Sequence, residues 1–372
     1  MKNLRFIIAA IMLLVSLPQM AEDERTCDFI VDGMCFKILP GEKKQVSFEE
    51  LEKRYSQKKV IIPENVSYEG TDYVVTTIGR GAFAETYFTD TTLINVKEIV
   101  LPETIDSIAD WAFQCGELYS INLPDAVRYI GEGAFNMTFA LDMELHLPKS
   151  LEYVGAHAFN GSPIKGTLLL RKGVEYSHDA FVNVHRLEKV FIEDGITEIV
   201  SGLFAKCGSL KEVIIPESVE TIGPYAFWAC GSLKSIEIPN SVIEIGKYAF
   251  YHTGISKIVL PESLSAILPY AFGDNNNLKE IICKSTTPPL ATDAFDPNPN
   301  CTVYVPKGSG QGYREADGWK DFNIMEDGTT GIEPSVLLPE NSDAPLYDLL
   351  GRRIYHPVKG NVYIKNGRKI LW

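Results

Sequence analysis

The stretch Leu210–Phe227, LKEVIIPESVETIGPYAF, is followed at Leu233–Phe250 by LKSIEIPNSVIEIGKYAF. One pattern is written twice: Leu-x-x-Ile-x-Ile-Pro, then Val-x-x-Ile-Gly-x-x-Ala-Phe. Weaker copies run outward in both directions. The anchor is a phenylalanine, found at Phe83, Phe113, Phe135, Phe159, Phe181, Phe204, Phe227, Phe250, Phe272 and Phe295. Each follows Ala except Phe204, which follows Leu203. By residue number they recur every 22 to 24 positions, and only the step from Phe83 to Phe113 is longer. The insert Tyr87–Asn95 accounts for it. Self-similarity at this period predicts a solenoid.

Within one unit the first half alternates apolar and polar residues, which reads as a short strand with one buried face. Leu233, Ile236 and Ile238 point inward, and Ser235 and Glu237 point out. Pro239 ends the strand because it offers no ladder donor. Gly246 supplies the turn before the second buried group. Phe250 fills the middle of the coil, and Ala249 is small where backbones approach. One unit cannot bury its own apolar side, but a stack of about ten builds a continuous core. Parallel strands about 4.8 Å apart then form a strip on the order of 45 Å long.

At these residues the chain resembles the BspA-like leucine-rich repeats of bacterial surface proteins from Bacteroidetes and spirochaetes. The resemblance covers Tyr73 to Phe322. It implies a leucine-rich-repeat solenoid of about 23 residues per turn, with a parallel β-sheet on the concave face. It also implies a non-enzymatic role in adhesion to host matrix proteins and to other bacteria. Arg171-Lys172-Gly173 and Glu193-Asp194-Gly195 stand where the other units have proline, so their turns are expected to differ.

Met1–Ala21 reads as a secretory signal peptide: Lys2 and Arg5 precede the apolar run Phe6–Leu17, and a polar stretch follows. Cleavage is expected after Ala21. The apolar run is short for a membrane span, so no transmembrane segment is expected in the mature chain. The net charge of -14, which becomes -16 once Lys2 and Arg5 leave, argues against a nucleic-acid partner.

Export raises the question of disulfides among seven cysteines. Cys115, Cys207 and Cys230 follow the repeat Phe by two or three residues and read as core thiols. Cys283 takes an inward strand position, whereas Cys301 aligns with the outward Lys234, so those two should not pair. Cys27 and Cys35 flank the hairpin signal Asp32-Gly33. A two-residue turn pairs Ile30 with Cys35 and Cys27 with Ile38, which puts the two sulfurs out of register and argues against a bond.

In chain order, residues 22–72 read as an N-terminal β cap. Cys27–Leu39 forms a hairpin, with Asp28 opposite Lys37. Phe48–Lys59 is charged and reads as a helix or a loop. Val60-Ile61-Ile62-Pro63 is the first strand of repeat type, and Val66–Val75 is a hairpin over Glu69-Gly70-Thr71-Asp72. Residues 73–325 are the solenoid with its C-terminal cap: Val303 and Val305 make a last strand, and Tyr313, Trp319 and Phe322 cover the final layer. Residues 326–345, rich in Gly, Pro, Ser and acids, read as a linker. Residues 346–372 form a small β tail. Its Tyr347-Asp348, Gly351-Arg352-Arg353, Lys359-Gly360, Tyr363-Ile364 and Gly367-Arg368-Lys369 resemble the end of the C-terminal sorting domains used in type IX secretion.

No catalytic constellation emerges, and no cofactor is called for. The histidines His146, His157, His178, His185, His252 and His356 show no metal-ligand spacing and sit at non-equivalent repeat positions. Gly308-Ser309-Gly310-Gln311-Gly312 lacks the third dinucleotide-binding Gly and the Lys-Ser/Thr of a P-loop, and reads as a turn. The outward strand positions say more. One row reads Val100, Asn122, His146, Leu169, Phe191, Ile214, Glu237, Val259, Ile282 and Tyr304. Most of its members are apolar, and the run Leu169, Phe191, Ile214, Glu237, Val259, Ile282 and Tyr304 forms a candidate binding stripe. The next row, from Glu98 and Ser120 to Glu280 and Thr302, edges it with mixed charge. Mutual support of β-branched and aromatic neighbours in a sheet is the alternative account of the same stripe.

The expectation is a secreted or outer-surface binding protein. Its partner is a protein, from host extracellular matrix or another bacterium. Glycan or nutrient capture is the alternative, which aromatic platforms would favour and only Phe191 and Tyr304 offer.

Overall fold

The computed structural model describes residues 27–52, 57–84, 96–114, 118–138, 140–141 and 143–327, and short strands between 346 and 371. The chain winds as a parallel β-solenoid of about ten turns, with the repeat phenylalanines as its axis. From Phe83 to Phe295 their rings stack coil upon coil, with centroids 5.0 to 5.9 Å apart. The Ala before each Phe has a backbone reason. Phe227 N donates to Ala249 O at 2.8 Å and Phe250 N to Ala271 O at 2.7 Å, and this link recurs along the stack. Ala226, Ala249 and Ala271 are fully buried there, where a larger side chain would hold the coils apart.

Most coils carry two strand segments; in the coils of Glu144 and Glu237 the first is reduced to an isolated bridge. The first is the expected Leu-x-x-Ile-x-Ile strand, and it forms three separate parallel sheets rather than one strip. Lys59–Ile61, Glu98–Val100 and Ser120–Ile121 make one; Lys165–Leu170, Arg186–Ile192 and Glu212–Ile214 the next; Lys257–Leu260, Glu280–Cys283, Thr302–Pro306 and Asn323–Asp327 the last. The second is a two-residue strand such as Thr221–Ile222 or Glu244–Ile245, paired coil to coil. The Gly that follows serves close approach: a Cβ at Gly246 would lie 2.5 Å from Pro224 N. The two proline-free turns close through glycines in the left-handed region, Gly173 at φ 78° and Gly195 at φ 107°.

A second buried column lies three residues after the Phe. Ser162 Oγ donates to Phe135 O, Cys207 Sγ to Phe181 O at 3.3 Å and Cys230 Sγ to Phe204 O at 3.2 Å. Asn275 Nδ2 donates to both Phe250 O and Phe272 O. Small polar side chains thus satisfy carbonyls inside an apolar core. Cys207, Cys230, Cys283 and Cys301 are free, buried thiols, and Cys283 and Cys301 do not pair. Cys301 lies inside and not outside: Asn300, at the position of Leu278, is exposed, and Cys301 one step later fills the inward slot. Cys115 and the insert 87–95 lie outside the described residues.

At the N-terminal end the Asp32-Gly33 hairpin forms with Ile30 opposite Cys35, as the turn arithmetic requires. Cys27 and Cys35 are nevertheless disulfide-bonded, with Cα atoms 5.6 Å apart. The register argument fails because the ladder starts at Phe29. Cys27 lies beyond it and is free to turn toward Cys35, while the Asp28 carboxylate accepts the Ile38 N–H at 2.7 Å. Gln45–Leu51 is a strand, where a helix or loop was expected over Phe48–Lys59. Its inward Val46 and Phe48 are fully buried, and Phe48 extends the ring stack by one step, 4.8 Å from Phe83. The second hairpin turns on Glu69-Gly70 alone, since Tyr68 pairs with Thr71.

At the far end Trp319 and Phe322 close on Phe295 at 5.4 and 5.6 Å. Trp319 Nε1 donates to Pro289 O and the Tyr313 hydroxyl to Ser285 O, so both buried aromatics have polar partners. The strand of Val303 and Val305 is not the last. Asn323–Asp327 adds a further parallel strand beside it, running past the expected start of the linker. Its Glu326 carboxylate accepts the N–H groups of Gly308 and Gly310 at the start of the helix Gly310–Glu315, so the glycine-rich turn is filled from within. Beyond it, Leu346–Tyr347, Arg353–Ile354, Val362–Lys365 and Arg368–Leu371 pair as an antiparallel sheet.

Candidate functional site

The strand register divides the candidate stripe in two. Leu169, Phe191 and Ile214 are ladder partners on neighbouring strands. Val259, Ile282 and Tyr304 form a second set, which Met325 extends. Glu237 joins this set through an isolated bridge to Val259. Phe191 is only 3% exposed, although it alternates with the inward residues, so it presents little surface to a partner. The second set is open. Val259, Ile282 and Tyr304 are half-buried and Met325 is 48% exposed. Met325 escaped sequence reading because its strand has no repeat consensus. Beside the stripe the mixed charges are paired across strands, with Lys189–Glu212 at 2.6 Å and Lys257–Glu280 at 2.8 Å.

Sequence reading missed a different row. Two residues before every repeat Phe the backbone is left-handed, with φ between 55° and 65°. Gly81, Gly133 and Gly202 suit that region; Trp111, His157, Asp179, Tyr225, Tyr248, Tyr270 and Asp293 occupy it as side-chain-bearing residues. The shared twist brings their side chains into register. Tyr225, Tyr248 and Tyr270 stack with centroids 5.0 Å apart, and Trp228 and Tyr251 meet the stack edge-on. Lys206 lies over Trp228 and Lys247 over Tyr248. Burial, then the Asp274 and Asp296 carboxylates, push the Tyr251 phenol above its ordinary range. The readable signal was tyrosine at one position of three consecutive repeats, Tyr225, Tyr248 and Tyr270.

The model of the BspA-type leucine-rich-repeat region matches residues 53–176 and 174–302, in six copies. The chain belongs to the BspA-type leucine-rich-repeat family. A leucine-rich repeat protein from Bacteroides ovatus ATCC 8483 is similar in structure, with a TM-score of 0.63 at 29% identity over 75% of this chain and 71% of that one. A leucine rich cell surface protein from Faecalibacterium prausnitzii A2-165 is 16% identical, with a TM-score of 0.44 over 83% and 96% of the two chains. The leucine-rich-repeat protein of T. pallidum is 20% identical, with a TM-score of 0.44 over 60% and 88%. No curated protein matches.

In this BspA-type chain the histidines are less scattered than their spacing implied. His157 and Asp179 share the left-handed position of successive coils, and His178 adjoins Asp179, so that one donor atom from each lies within 4.8 Å of the others. His252 Nδ1 meets Asp274 Oδ2 at 2.5 Å. A cleft of 240 Å³ between the last coils and the C-terminal cap is lined by Phe272, Phe295, Phe322 and several asparagines. Asp296 is the one carboxylate on its wall, and no histidine lines it, so it assembles no acid–base pair. Among the described residues no helix is long and apolar enough to cross a membrane.

Proposed function

We propose that this BspA-type protein is an exported, non-enzymatic bacterial surface protein that binds protein partners, host matrix or a neighbouring bacterium, through the strand face of its C-terminal coils. The observation that carries the reading is the open row Val259, Ile282, Tyr304 and Met325, apolar on a rigid sheet and edged by the Lys257–Glu280 pair. A half-exposed apolar strip with a polar rim is the composition of a protein-recognition surface. Export is supported by the leader-like N-terminus and by the Cys27–Cys35 disulfide, which suits an oxidising compartment. The tail's likeness to a sorting domain adds a route.

Glycan capture is the second reading, and the row of Tyr225, Tyr248 and Tyr270 with Trp228 favours it over what Phe191 and Tyr304 offered. An array of extracellular-matrix proteins and glycans, probed with the purified protein, separates the two. Protein hits lost on Ile282→Lys support the first. Glycan hits lost on Tyr248→Ala support the second.

A further inference from the structure

We infer that His157, His178 and Asp179 form a surface site for a divalent transition-metal ion of the zinc type. Two imidazoles and a carboxylate each present one donor atom, all within 4.8 Å of one another. Donors around a single zinc ion lie about 3–3.5 Å apart, given Zn–N and Zn–O bonds near 2.0–2.2 Å. Small side-chain rotations therefore close the set. His157 and His178 already stand edge to face at 5.8 Å, and His178 Nδ1 lies 3.1 Å from Asp179 Oδ2.

One feature marks this cluster off from surface coincidence, and two more suit it to holding an ion. His157 Nδ1 is buried without a hydrogen-bond partner, the one such buried side-chain nitrogen or oxygen among the described residues. An orphaned imidazole nitrogen is costly unless something accepts or donates to it. The backbone is fixed: Asp179 N donates to Ser201 O at 3.0 Å and Phe159 N to Ala180 O at 2.9 Å, so the coils that carry the donors are tied to their neighbours. The next coil makes room, since a Cβ at Gly202 would overlap Asp179 Oδ1. The donors thus stand on rigid elements with space for the carboxylate.

The donor set selects the ion. Imidazole nitrogen suits zinc, nickel, cobalt and copper; calcium and magnesium need oxygen-rich cages. Three protein ligands leave a fourth position open, and the His178 side chain is 61% exposed, so that position faces solvent. It can hold water or a donor from a bound partner.

The test uses the tag-free full chain without reductant, titrated calorimetrically with zinc chloride and, separately, with cobalt chloride read by visible absorption. One ion per chain is expected, with a micromolar Kd and a cobalt d–d band, neither displaced by excess calcium. His178→Ala and Asp179→Asn should each weaken zinc at least tenfold. His252→Ala, which breaks a two-donor pair elsewhere, should leave it unchanged. Zinc should raise the melting temperature of the wild type but not of His178→Ala. His178 is exposed and Asn tolerates the left-handed backbone, so both variants should fold. Absence of zinc binding by the folded wild type would overturn the site, as would wild-type affinity in His178→Ala and Asp179→Asn.

Discussion

Gly202 lies directly against the Asp179 carboxylate: a Cβ built on Gly202 would meet Asp179 Oδ1 at 1.8 Å. Gly202 also sits at φ 65°, in the left-handed row that precedes each repeat Phe. Gly202→Ala therefore meets two penalties, backbone strain of about 1–2 kcal/mol and displacement of the carboxylate. The expected result is a lower denaturation midpoint and weaker zinc binding than wild type, read by urea unfolding and calorimetry.

The converse holds where a side chain occupies such a conformation without using it. Ala229 has φ 58° and is half-buried. Ala229→Gly should stabilise the chain by about 0.5–1 kcal/mol, the relief of left-handed strain less the entropy that Gly returns to the unfolded state. Urea unfolding of the single variant checks it.

Asn275 is 6% exposed and fully used. Its Oδ1 accepts from the Thr253 N–H and hydroxyl, and its Nδ2 donates to Phe250 O and Phe272 O. Asn275→Ala strands those groups in the core and should cost about 2–3 kcal/mol. The loss should appear as a lower midpoint with the far-UV spectrum of the folded state retained.

The buried thiols make stability fall in alkali. Burial pushes Cys207 up to about 12 and Cys301 up to about 11, from an ordinary 9.0, and raises Cys230 and Cys283 as well. Between the unfolded and folded values the unfolded chain has lost protons that the folded chain keeps. Stability is therefore full well below pH 9.0 and declines as pH rises from there, toward about 11 for Cys301 and about 12 for Cys207, by on the order of 1 kcal/mol per unit for a fully buried thiol. In the folded state at pH 8 these four cysteines should resist iodoacetamide, and all should react in denaturant. Site-resolved mass spectrometry reads both.

Where the sequence was legible, it was legible through repetition. The spacing of Phe83 to Phe295 announced the ring stack, and Trp319 and Phe322 announced its lid. Features carried by single positions were not. A two-residue strand such as Thr221–Ile222 is too short for any periodicity to register. The Cys27–Cys35 bond depends on the chain leaving its ladder at Phe29, which pairing arithmetic cannot foresee. Phe191 alternates like an exposed residue, yet it is buried, which strand periodicity does not register. The left-handed row hid behind Trp, His, Asp and Tyr, which carry no conformational signature, although Gly81, Gly133 and Gly202 in the same column were its trace.

Recognition of protein by the C-terminal strand face is read in the equilibrium affinity for a matrix-protein hit from the array. It should be taken for wild type, Ile282→Lys and Tyr248→Ala, with melting temperatures alongside. Ile282→Lys should weaken binding at least tenfold, about 1.4 kcal/mol, with an unchanged melting temperature, and Tyr248→Ala should bind as wild type. No matrix-protein hit, or a hit indifferent to Ile282→Lys, would rule out recognition by this face.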